Sequence, residues 1–124
     1  MNLLTNILVG FVALQHFGFL YLEMFLWTTA TGQKIFKTTP AFAKDSASLA
    51  ANQGLYNGFL AAGLLWAIFH PNLEFSFQLK LFFLGCVFVA GIYGWVTVSK
   101  NILFIQALPA LVILLTVFFL GRTA

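Results

Sequence analysis

Apolar residues dominate four stretches of the chain, roughly Leu3 to Trp27, Leu49 to Phe69, Leu79 to Val98 and Ile102 to Leu120. Each approaches the ~20 residues that a helix needs to cross a bilayer. The pattern therefore predicts an all-α, polytopic four-helix transmembrane bundle, one domain over residues 1–124. The polar interruptions differ in length. The first, TTATGQKIFKTTPAFAKDSAS (28–48), reads as a long loop, the second is HPNLEFSFQ, and the third is only SKN. So short a third connection makes the last two spans an antiparallel hairpin. Asp45 or Ser46 is the expected N-cap of the second span, because its side-chain oxygen can accept an orphan backbone N–H. His70-Pro71 should end that span, since proline cannot continue the hydrogen-bond ladder. Trp27, Trp66, Phe75 and Phe77 fall near the expected interfaces, where aromatic rings are favoured.

Composition agrees with this pattern. The chain is 61% hydrophobic and 7% charged, whereas soluble domains carry roughly 25% charged residues. So little charge cannot cover a water-soluble surface. The start, MNLLTNILVGF, lacks a basic leader region and its apolar run is long, so it reads as the first span and not as a cleaved signal. The single cysteine, Cys86, leaves no internal disulfide and no Cys-based zinc site. A net charge of +3, scattered along the chain, carries no nucleic-acid signature. No metal site and no cofactor are expected. Lys34, Lys37, Lys44 and Lys100 fall on one side of the four spans, Lys80 and Arg122 on the other. The positive-inside rule then makes 28–48 cytoplasmic and places both termini outside. The cytoplasmic lysines also suit contact with anionic membrane lipid.

Depth organises the polar residues. Counting at 1.5 Å per residue, Glu23, Asn52, Gln53, Tyr56, Asn57, Tyr93, Thr97 and Gln106 fall in the leaflet facing the first connection, with His16 near the middle. The other half is almost featureless apart from Asn6, Cys86 and Thr116. Such an arrangement is a polar cup open to one side. Glu23 is the one acid inside an expected span, and ionisable groups at that depth are costly and usually face a cavity or a partner. Glu23, with His16, is the candidate for proton transfer, acid/base chemistry or anchoring a cationic group. Asn52, Gln53, Tyr56, Asn57, Tyr93 and Gln106 are candidate ligand-binding groups. Their amides equally serve as hydrogen-bonding glue between helices. Ala50, Gly54, Gly58 and Ala62 recur every four residues as a stripe that lets another helix approach.

The stretches QHFGFLYLEMFLW, LAANQGLYNGFLAAGLLWA, and FFLGCVFVAGIYGWVTVSK followed by QALPALV resemble a family of small bacterial four-span membrane proteins known only as a domain of unknown function. The resemblance covers essentially the whole chain and implies a bacterial cytoplasmic membrane location. A looser likeness links it to the membrane-associated eicosanoid and glutathione metabolism (MAPEG) enzymes, short four-helix proteins whose second helix carries polar residues. Ala50, Gln53 and Asn57 fall where part of their motif would lie. The motif's arginine and glutamate have no counterpart, as Leu49 and Leu55 to Tyr56 show. That likeness implies a homo-oligomer with sites between protomers.

Three functions follow. The first is a one-sided pocket for an amphiphilic small molecule or lipid, with or without catalysis. The second is a proton-coupled exporter using Glu23. The third is a structural accessory subunit assembled through the small-residue stripe.

Overall fold

The computed structural model describes residues 2–122, and those residues are all-α. The elements are α1 (Leu3–Phe25), α2 (Ala30–Phe36), α3 (Pro40–Phe69), α4 (Leu73–Thr97), a π-helical turn (Leu103–Ala107) and α5 (Leu108–Leu120). Among the described residues, α1, α4 and the Leu103–Leu120 helix are long and apolar enough to cross a membrane. The second expected span, 49–69, forms part of α3, but Asn52, Gln53, Tyr56 and Asn57 interrupt its apolar run and it is not among these three.

Residues 28–48 are mostly helix and not the long loop that the polar composition suggests. Thr29 caps α2 by accepting from the Gly32 amide at 3.2 Å. Lys37 closes α2 in the left-handed region, with φ of 55°. After two intervening residues α3 begins at Pro40. Asp45 and Ser46 therefore lie inside a helix and cap nothing. The start is set instead by Thr39, whose hydroxyl accepts from the Phe42 amide at 3.2 Å, followed by Pro40. Proline suits the first helical position because its missing N–H would be unpaired there anyway. The far end of α3 falls at Phe69, just before His70-Pro71, as the ladder argument requires.

α4 also starts earlier than expected. The Asn72 side chain accepts from the Phe75 amide at 3.0 Å and Glu74 sits in the first turn, where the positive end of the helix dipole favours an acid. The last helix is not uniform. Pro109 offers no N–H, and its ring clashes with the carbonyl four residues back, at Ile105. The ladder is widened ahead of it, and the Leu108 amide bonds the Leu103 carbonyl.

The chain separates into two compact units, residues 1–13 with 62–124, and residues 14–61. In the first, as far as described, Val9, Val12, Leu64, Leu84, Val87, Ile113 and Val117 form the core. α4 meets the last helix closely: a Cβ on Gly91 would lie 2.8 Å from Cα and N of Ala107, so the two backbones nearly touch. Gly63 accommodates the Phe83 ring in the same way, with ring atoms 2.3–2.6 Å from where a Cβ would stand. In the second unit, the corner after α1 is closed by Trp27. Its indole N–H donates to the Ser46 hydroxyl at 3.0 Å and its ring lies 4.8 Å from Phe36. Gly32 completes that corner, for a Cβ there would fall 1.9 Å from the Leu26 carbonyl oxygen.

Candidate functional site

The second unit carries the acid. Glu23 lies in the last full turn of α1 and is 5% exposed. Helix α3 approaches it closely because two glycines clear the way. A Cβ on Gly54 would stand 2.8 Å from Met24 Cγ and 3.1 Å from Glu23 Cβ, and one on Gly58 would stand 2.5 Å from Leu20 Cδ1. The small-residue stripe thus meets α1 of the same chain at Gly54 and Gly58. Ala50 is buried as well, while Ala62 is exposed and its neighbour Ala61 is buried.

That approach delivers an amide to the carboxyl. Asn57 Nδ2 donates to Glu23 Oε1 at 2.5 Å. Gln53, four residues earlier and on the same helix face, brings its side-chain amide to the same carboxyl. Glu23, Gln53 and Asn57 therefore form one group. A carboxylate has about four lone-pair sites; Asn57 fills one and Gln53 lies close enough to engage another, so the carboxyl retains capacity for a donor.

The remaining candidates are placed differently. His16, seven residues before Glu23, is fully buried, with its ring 5.2 Å from Phe19 in an edge-on arrangement. Asn52 is exposed. Tyr56 is exposed too and stacks edge-on with Phe59 at 5.6 Å. Tyr93 and Gln106 belong to the first unit. Tyr93 is 72% exposed on α4. Gln106 is half-buried within the π turn. Shallow apolar concavities run along α4 between Leu81 and Thr97, with Tyr93 lining them. Among the described residues no cluster of His, Cys, Asp or Glu has metal-binding geometry.

One buried ionisable residue was not recognisable as such from hydropathy. Lys80 is 3% exposed, and its Nζ donates to Asn6 Oδ1 at 2.6 Å. Hydropathy placed it at the edge of a span, as a topology-determining charge. The overlooked signal is Asn72: read as an N-cap, it moves the helix start to Leu73 and Lys80 two turns inside.

These features define an all-α protein with three helices able to cross a membrane and a buried carboxyl held by amides. The chain belongs to the family described as a protein of unknown function (DUF1304), which it matches over residues 10–118. It is 34% identical over 121 residues to the uncharacterized protein YpaA of Lactococcus lactis subsp. lactis (strain IL1403), an alignment covering 96% of this chain and 100% of that protein. The family resemblance read from the sequence is thereby borne out. No solved structure matches the chain.

Proposed function

We propose that this protein is a four-span, multi-pass protein of the bacterial cytoplasmic membrane that binds an amphiphilic small molecule or lipid at Glu23, Gln53 and Asn57. The observation that carries this reading is the Glu23 carboxyl, buried and held by Asn57. A buried acid in so apolar a chain is expensive to maintain, and amide donors orient it without neutralising it as a basic residue would. The ligand expected there is a molecule with an apolar body and a hydrogen-bond donor or cationic head. Its head meets the free face of the carboxyl and its tail lies along lipid-facing helix surface. His16, Asn52 and Tyr56, in the same unit as Glu23, are the further contacts this reading assigns.

The fourth span in this proposal is Leu49 to Phe69 of α3. Those 21 residues extend about 32 Å at 1.5 Å per residue, enough for a crossing. Self-association into a homo-oligomer is part of the same reading, given the large apolar residues exposed along α1, α4 and α5.

The test is native mass spectrometry of the whole chain from mild detergent, with gentle activation. A discrete small-molecule adduct that disappears in Glu23→Gln and Asn57→Leu supports the binding site. An adduct indifferent to both substitutions ends this reading. Proteoliposome uptake that follows a pH gradient and stops in Glu23→Gln would move the same carboxyl to the exporter alternative.

A further inference from the structure

A second polar group lies at one end of the first unit and shares no residue with the Glu23 reading. Of the described cations only Lys80 is buried. A buried ammonium is costly unless its charge is compensated, yet the partner that accepts from it is neutral, the Asn6 amide oxygen. The other polar groups near that end are occupied. The Asn2 amide donates to the Leu120 carbonyl at 3.1 Å and its oxygen accepts from the Thr5 amide at 3.2 Å. Ser76 donates to the Ala67 carbonyl. Glu74 is exposed and accepts from Gln78 at 3.2 Å. Among the described residues no carboxylate pairs with Lys80.

A second cation packs on the same helix, against Phe77. The Arg122 guanidinium carbon lies 4.7 Å above the centre of the Phe77 ring, a favourable cation–π geometry. Phe77 precedes Lys80 by three residues, so ring and amine share one face of α4. Depth also matters. Lys80 lies seven residues into α4, about 10 Å along the axis, while Asn6 is only about 5 Å from the start of α1. The lysine stem covers that difference by reaching back toward the helix ends, as long cationic side chains do at membrane interfaces. In the proposed membrane setting that reach directs the ammonium toward the headgroups, and it keeps two N–H donors beyond the one given to Asn6.

We propose that Lys80, Asn6 and Arg122 form a binding site for a phosphate group, carried by an acidic phospholipid or free in solution. A tetrahedral phosphate accepts from an ammonium, a guanidinium and an amide at once, and it supplies the negative charge that the protein withholds. The site is independent of the Glu23 reading and survives its failure.

The experiment uses the whole chain in neutral detergent, offered phosphatidylglycerol, phosphatidylcholine or inorganic phosphate and followed by native mass spectrometry. Phosphatidylglycerol is expected to remain bound in preference to phosphatidylcholine. Lys80→Gln should lower its retention at least tenfold and Arg122→Gln a few-fold. Lys100→Gln, an exposed lysine at the other end of α4, should change nothing. Displacement of the lipid by millimolar inorganic phosphate assigns the soluble anion as a source, and failure to displace assigns the lipid; both support the site. Equal retention of the two lipids with no effect of phosphate overturns it, as does unaltered binding in both variants. Should Lys80→Gln fail to fold, Arg122→Gln decides alone, since Arg122 is exposed and outside the core.

Discussion

Asn57 has more to lose than any other residue of the cluster, because it pairs with a group that cannot easily be left alone. Replacing it with leucine keeps the volume roughly but removes the amide hydrogen-bonded to a buried carboxyl and leaves only Gln53 beside it. The expected cost is about 1–3 kcal/mol, read as a lower unfolding midpoint in detergent. Glu23→Gln removes the ionisable group and keeps a hydrogen-bonding head, so its stability should stay close to that of the parent while ligand retention falls. This split between stability and binding separates a binding carboxyl from structural glue, for which both quantities would move together. The pairing was largely legible in the sequence. Depth placed Glu23, Gln53 and Asn57 in one leaflet, and the four-residue interval put both amides on one face. Lys80 was not legible in the same way, because hydropathy windows treat a lysine at a span's edge as an end marker and ignore the capping asparagine upstream.

At the scale of elements, caps and close approaches decide what hydropathy leaves open. The extents of α1 and the last helix follow from apolar length. The start of α3 does not, since a polar, lysine-bearing stretch can be loop or helix and only Thr39-Pro40 distinguishes them. Thr39→Ala should therefore cost about 1 kcal/mol and fray the first turn of α3, with faster amide exchange confined to the residues that follow Pro40. Gly91→Leu is a harsher change. A side chain there meets backbone atoms of Ala107, which cannot rotate away, so the helices must part. A loss of about 3 kcal/mol or more in the detergent-unfolding transition is expected, whereas Gly85→Ala, where a Cβ meets nothing within 4 Å, should be silent.

For the whole molecule, the proposed spans imply a direction of crossing. The lysine distribution favours 28–48 inside, and a membrane-impermeant thiol reagent tests it in a Cys86→Ala background. A cysteine at exposed Glu74 should react in intact cells, and one at exposed Thr31 only after permeabilisation. Labelling of Thr31→Cys in intact cells would invert the topology, and labelling of both would show two orientations. The balance is modest, with four cations against two, and Lys80 weighs less in it than its charge suggests. Its ammonium is folded into the protein against Asn6, so it is no freely hydrated charge. Lys80→Gln should accordingly leave the labelling pattern unchanged, and Lys34→Gln combined with Lys37→Gln should blur it.

The near-contact of Gly91 with Ala107 bears on how the chain is made. If both helices cross the bilayer as proposed, so short a turn holds them side by side as soon as the second has entered. Pairing at Gly91 then needs no search through the lipid. A nascent chain stalled at Val98 would present a bare glycine groove to lipid, and the quality-control proteases of the membrane would meet an unfinished half of a hairpin.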